Sequence, residues 1–366
     1  MALAATAALL CGCQFSVKDS QEVTGNATAP AGSTERAAVP AAAPDASLVF
    51  ADAAADPALP PDAPRPIMQL QVVLDRLGFS PGVIDGKQGS GLKLALRSFQ
   101  LAHDLPESGT LDDATKAALE PSMSTAATRL VTIPAAFAQG PFVPDLPKDA
   151  AEQAKLPALG YRDLMEALAE RFHTTRETLI ALNSPTTKVG AGRVIRVPDI
   201  PDVDASTLPA DERGWNATLQ TLGVSPQQPV ADTVVVDRSE GVLRVLDDKG
   251  AVIASFPATM GSEHDPLPIG TWKIQGVSRN PDFHYNPKLF WDVNDSKEAQ
   301  LLKPGPNGPV GVVWLDLSKP HYGIHGTGEP QTIGRAESHG CVRLTNWDAA
   351  RLAQMVKPGT PAIFQE

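Results

Sequence analysis

The residue types that could do covalent chemistry gather in two stretches near the C-terminus, Ile324-His325-Gly326-Thr327 and Ser338-His339-Gly340-Cys341-Val342-Arg343-Leu344. Together they bring two imidazoles and a thiol among glycines, the composition of a nucleophile with its base. A thiol attacks as thiolate and its free pKa is about 8.5, so a working cysteine needs a neighbouring imidazole or a cluster of backbone N–H groups. No histidine follows Cys341, which excludes a papain-like order and puts the base upstream. His339, two residues away, shares the thiol's face of an extended segment. His325 must come from a neighbouring strand or loop and can face the thiol across the site, which suits proton transfer better. Gly326 and Gly340 let the backbone approach a substrate, and the amides of Gly340 and Cys341 could bind an oxyanion.

Three other readings compete. A buried structural cysteine leaves the glycines beside both histidines unexplained. A zinc site from His321, His325, His339 and Cys341 has the right ligand types, but the segment lacks the Glu of a zincin and is glycine-rich rather than helical. A caspase-like protease shares the order His then Cys, without the Gln-Ala-Cys signature and with a much longer spacing. The thiol and imidazole reading calls for no metal and no cofactor.

These residues resemble the signature of the L,D-transpeptidase catalytic domain, the YkuD fold of bacterial cell-wall enzymes. The resemblance extends upstream through Asn280-Pro281, Pro304-Gly305-Pro306-Asn307 and His321-Tyr322-Gly323, and covers about Ala231 to the C-terminus. It implies that Cys341 is the nucleophile, His325 the general base, and the Gly326 carbonyl the group that orients that base, where some relatives have serine. His339 is expected to support the site and the Gly340 amide to bind the oxyanion. Tyr322, Ser338 and Arg343 are candidates to contact substrate, the guanidinium being suited to a stem-peptide carboxylate or to an internal acidic partner. The spacing from His325 to Ser338 is slightly shorter than in many relatives. The implied reaction is ping-pong acyl transfer between peptidoglycan stem peptides, releasing D-alanine and forming a 3-3 cross-link. Alternatives are hydrolysis at the same site, or a protein that only tethers membrane to wall.

The elements that must position these groups read as a β-rich sandwich over residues 231–366. Thr233–Val236, Val242–Leu246 and Val252–Phe256 are β-branched or alternating runs, separated by hairpin turns at Asp237–Gly241 and Asp247–Gly250. Further strands are expected within Pro266–Ile274, at Gly311–Leu315 and at Ala362–Phe364, and a helix from Asn346 to Met355. The long segment between Ser278 and Val310 carries His284, Tyr285 and Trp291. It is either a lid or binding loop, or a loop packing a small core of its own.

Upstream the chain is multidomain. In residues 66–121, Leu70, Val73, Leu74 and Leu77 and then Leu92, Ala95, Leu96 and Phe99 fall at helical spacing, and Leu111 to Leu119 makes a third helix opened by Asp112 or Asp113. Gly78-Phe79, Asp85-Gly86, Phe99-Gln100 and Leu105 to Gly109 make this region similar to the three-helix peptidoglycan-binding domain 1, although Gly91-Leu92 stands where a threonine usually opens the second helix. Residues 122–156 read as an Ala/Pro-rich linker. In 157–200 a stripe from Tyr161 to Phe172, a capping box of Thr174 and Glu177, and a strand Arg193–Pro198 are similar to the latter part of a LysM module whose opening strand is missing. That unit either binds glycan or serves as a packed spacer. Residues 201–230 read as a second linker.

The composition is 42% hydrophobic with a formal net charge of −11 over 366 residues, which gives no basic surface for nucleic acid. Residues 1–13 form a short apolar segment ending Leu10-Cys11-Gly12-Cys13, which resembles a lipobox in which Cys13 would be acylated. Residues 14–65 are rich in Ala, Pro, Asp, Ser and Thr and read as a disordered tether. With Gln14 after the lipidated residue, the expected location is the periplasm, on a lipid anchor in the outer membrane. Cys341 would then be the one thiol of the mature chain. The oligomeric state is not legible in the sequence.

Overall fold

The computed structural model describes residues 48–54, 56, 59–287, 298–338 and 340–366. The lipobox with Cys13, Trp291 and His339 lie outside them.

The first unit is the expected three-helix one: α1 (Pro66–Arg76), α2 (Ser90–Ala102) and α3 (Asp113–Leu119). Proline at the start of α1 costs no hydrogen bond, because the first amides of a helix have no intrahelical acceptor. Asp112 caps α3 by accepting from the Thr115 amide at 2.9 Å. Leu70, Val73 and Leu74 meet Leu92, Leu96, Phe99 and Leu119 in one core. Gly91 at the start of α2 has a packing reason, since a Cβ there would collide with the Pro81 carbonyl.

The second unit begins much earlier than expected. Strand β1 (Thr128–Thr132) pairs antiparallel with β2 (Val194–Pro198), Leu130 facing Arg196, and α6 (Leu164–Arg171) and α7 (Arg176–Leu182) lie between them in the chain. The missing opening strand is therefore present, inside the stretch read as a linker. An insert carrying α4 (Ala135–Gln139) and α5 (Ala150–Gln153) separates it from the first helix of the pair. The cap of α7 is Thr175 rather than Thr174, its side chain accepting from Thr178 N. The tether expected to run through residue 65 is also too long. Phe50 is 1% exposed, its ring edge-on to Phe137 and Phe172, and Asp52 bridges to Val131.

The linker expected over 201–230 holds α8 (Trp215–Leu222), whose Trp215, Leu219 and Leu222 belong to the core of the C-terminal β-rich unit. That core lies on strands β3 (Thr233–Asp237), β4 (Val242–Leu246), β5 (Val252–Pro257), β6 (Thr259–Met260), β7 (Gly270–Arg279), β10 (Val313–Leu317), β11 (Gly323–His325), β12 (Val342–Arg343) and β13 (Pro361–Gln365). They pair in the order β5-β4-β3-β13-β7-β10-β11-β12-β6. The long β7 joins two halves: Gly270 to Lys273 pair with β13, and Ile274 to Arg279 with β10. A separate hairpin, β8 (Phe283–Tyr285) with β9 (Gln300–Leu302), stands in the long segment before β10. Helix α9 (Asn346–Met355), capped by Thr345 on the Asp348 amide, follows β12 and is buried on most of its faces.

The three units share interfaces rather than hanging on linkers. Gly78 and Ser80 bond the backbone of Ser255 at 3.0 and 2.9 Å, so the helical unit covers the β5 edge, which would otherwise present unpaired amides. Asp75 of α1, His173 after α6 and Arg351 of α9 meet in a buried polar junction, over which the Trp347 and His173 rings stack at 5.0 Å.

Candidate active site

Two short parallel strands bring the site together. Ile324 pairs with Val342 and His325 with Arg343. Because side chains alternate across a strand, Ile324 and Val342 point into the core, and His325, Arg343 and Cys341 take the other face. Leu344 N bonds the His325 carbonyl at 2.8 Å and fixes that register.

His325 is 5% exposed, and its Nδ1 lies 2.8 Å from the Gly326 carbonyl. A carbonyl only accepts, so Nδ1 carries the proton and Nε2 keeps its lone pair. Burial, reinforced by the positive charge of Arg343, pulls the imidazole's pKa down to about 3. The ring is therefore a neutral acceptor at neutral pH. Trp314 of the adjacent β10 stacks on it, 5.8 Å between centroids and 24° between planes.

Cys341 is 4% exposed and is in no disulfide. Ser338 holds its backbone: the hydroxyl accepts from Gly261 N at 2.7 Å and donates to the Cys341 carbonyl at 2.6 Å. These two bonds give Ser338, expected to contact substrate, a part in holding the backbone beside the thiol. Tyr322, also expected to contact substrate, lies against the same segment. Its ring is buried, and a Cβ on Gly340 would stand 2.7 Å from Tyr322 Cε1. It backs the glycine, whose φ of +89° also favours that residue type. Arg343 bonds the Glu337 carbonyl at 3.3 Å and forms no ion pair among the described residues.

The wall beside the thiol comes from three places. Cys341 packs with Phe283 and Leu302 of the β8–β9 hairpin, with Val310 and Trp314, and with Leu159 from the insert of the second unit. Leu146 and Leu156 of that insert pack against the same cluster. Leu159 bonds Pro304 and Asn307 through its backbone at 3.0 Å each, and Gly305 admits it, since a Cβ there would collide with the Leu159 carbonyl. Sequence reasoning missed this insert, along with Trp314, Asn346 and Glu170. Only Asn346, shortly after the cysteine motif, was within reach of a local pattern.

Residues 231–364 match the L,D-transpeptidase catalytic domain family, and residues 65–119 the "Putative peptidoglycan binding domain" family. The "Putative L,D-transpeptidase YkuD" of Bacillus subtilis (strain 168) is 56% identical over 200 residues, covering 54% of this chain and 91% of that protein. The protein of the same name from Bacillus licheniformis is 30% identical over 200 residues, with the same shares. A solved L,D-transpeptidase from Mycobacterium smegmatis overlaps 37% of this chain and 59% of its own at 25% identity, with a TM-score of 0.31. With a buried thiol and an oriented imidazole brought together by adjacent strands inside residues 231–364, and a 56% identical relative covered over 91% of its length, this chain belongs to the L,D-transpeptidase family of acyltransferases.

Proposed function

We propose that the protein is a peptidoglycan L,D-transpeptidase with Cys341 as nucleophile and His325 as general base. The observation that carries this reading is the hydrogen bond from His325 Nδ1 to the Gly326 carbonyl at 2.8 Å. It leaves Nε2 as acceptor on the strand face that Cys341 shares.

In the first half-reaction Nε2 takes the thiol proton as sulfur adds to the carbonyl of the diamino-acid residue in a tetrapeptide stem. The amide of Gly340 stabilises the oxyanion. The carbon–nitrogen bond to D-alanine breaks, the imidazolium returns its proton to that amine, and a thioester remains. In the second half an amine of another stem attacks the thioester, gives its proton to Nε2 and restores the thiol, leaving a 3-3 cross-link. Water in place of that amine gives a shortened stem. His339 supports the site, and Arg343 offers its charge to a stem carboxylate.

The three-helix unit holds the catalytic domain near stems by raising effective concentration, and acylation of Cys13 anchors the chain in the periplasm at the outer membrane. The partners are then stem peptides, glycan and lipid, with no nucleic acid. Replacing Cys13 should release active enzyme into the soluble fraction, and a wild type already soluble would remove the anchor from this account. The catalytic reading is tested by intact mass. A tetrapeptide stem should leave an acyl adduct on Cys341 with release of D-alanine, and a carbapenem should acylate the same sulfur. Neither adduct forming, or either forming on Cys341→Ala, would refute it.

A further inference from the structure

Behind the imidazole, a buried chain of polar contacts arrives from a different unit of the protein. Resting on the assignment of His325 as the base, we propose that Asn346 and Glu170 are positioning residues, through which helix α6 of the LysM-like unit sets the orientation of the catalytic imidazole.

Asn346 opens α9, and its side chain is fully buried. Its Nδ2 donates to Glu170 Oε1 at 3.0 Å and to the Pro306 carbonyl at 3.0 Å, and its Oδ1 accepts from the Val312 amide at 3.2 Å. A Cβ on either Gly311 or Gly326 would collide with that Oδ1, so the carboxamide fills the space between those two backbone segments. One side chain thereby bonds two loops and packs against a third, the Gly326 peptide whose carbonyl holds His325 Nδ1.

Glu170 fixes which way the carboxamide faces. With the carboxyl in place, Nδ2 has acceptors for both of its N–H groups; without it one N–H is buried and unmet. The alternative, an amide flip, would aim NH₂ at the Val312 N–H and push against Gly326. Glu170 is 3% exposed and also accepts from the Tyr161 hydroxyl at 2.9 Å. The groups facing it are Tyr161 and Asn346, which are neutral, and Glu166, whose charge adds to burial. Burial first, then Glu166, push its pKa up to about 8, so a neutral acid meets the asparagine over most of the working range.

The test uses the full chain and two readouts: kcat and KM on a tetrapeptide stem, and the pH profile of Cys341 alkylation by iodoacetamide, followed on its tryptic peptide. Glu170→Ala and Asn346→Ala should each lower kcat about tenfold with KM nearly unchanged, and should displace the alkylation profile. Glu170→Gln keeps an acceptor oxygen and should match wild type below pH 7. Wild-type kinetics and profile in Glu170→Ala, or equal impairment of Glu170→Gln, would overturn the proposal. If Glu170→Ala does not fold, wild type and Glu170→Gln are compared from pH 7 to 9. The profiles should part as the wild-type carboxyl ionises, and coincident profiles would overturn the proposal. Alkylation needs no peptide, so an enzyme inert toward stems but sensitive to Glu170 would sink the functional reading alone.

Discussion

Asp75 of the first helix and Arg351 of the last meet in a two-pronged buried ion pair, at 3.0 and 2.7 Å, across 276 positions of chain. The Asp75 carboxylate also receives His173 Nδ1 at 3.1 Å, and Arg351 lies 3.6 Å from Asp348. All three units therefore depend on one carboxylate. Asp75→Ala should destabilise the whole protein by about 3–5 kcal/mol, because it strands a buried guanidinium. Burial alone would raise the Asp75 pKa, but the charges of Arg351 and His173 hold it well below the usual 3.8. The stabilisation is therefore complete above the unfolded value near 4 and is lost as pH falls below it. Denaturant unfolding at pH 7 and at pH 3 checks both statements. An unchanged midpoint in Asp75→Ala at pH 7, or a deficit of Asp75→Ala relative to wild type that does not shrink at pH 3, would remove the junction from the account.

Ser338 braces the backbone of Cys341. Ser338→Ala removes the bonds to Gly261 N and the Cys341 carbonyl and should cost about 1–3 kcal/mol of stability, as for buried partners left unmet. Turnover should fall while KM stays close to wild type. A variant whose KM rises instead, at unchanged kcat, would favour the substrate-contact role.

For His325, the direction of the pKa shift fixes the pH profile. Burial and Arg343 favour the neutral ring, which is the form a base needs, so acidification from pH 7.5 to 4.5 should not protonate it. Over that window kcat/KM should show no limb near the ordinary value of 6.5. His325→Ala should abolish turnover, and His339→Ala should lose less. A limb at pH 6 to 7 that persists in His339→Ala, or the reverse order of losses, would displace His325 as the base.

The sequence carried the catalytic motif because its members sit within one local pattern, and the alternation of Thr233 to Phe256 carried the first strands. What it could not carry were partners chosen by tertiary packing. The strand from Thr128 to Thr132 has no turn signal to separate it from an Ala/Pro-rich stretch, and its partner lies beyond an insert and two helices. Phe50 looks like a stray apolar residue in a tether until Phe137 and Phe172 close around it. Thr174 and Thr175 are adjacent potential caps, and geometry decides for the second. Ser338 and Tyr322 were recognised as part of the site, but which way they face depends on Gly261 and Gly340, and spacing does not encode that.

The insert that carries Leu146, Leu156 and Leu159 packs on the cluster that holds Cys341 and should limit access to the thiol. Leu146→Ser with Leu156→Ser should loosen its hold on the cluster around Cys341, each change removing about 1.5–3 kcal/mol of apolar burial at most. Alkylation of Cys341 should accelerate several-fold under native conditions, well below the unfolding midpoint of the variant. Equal alkylation rates in variant and wild type would show that the hairpin and strand residues alone shield the sulfur.

The central claim is that this thiol transfers an acyl group between peptidoglycan stems, and the most direct measurement is mass spectrometry of muropeptides from purified sacculi incubated with the enzyme. The account predicts 3-3 linked dimers with wild type and none with Cys341→Ala. Sacculi left unchanged by a folded wild type, or the same dimers produced by Cys341→Ala, would contradict it.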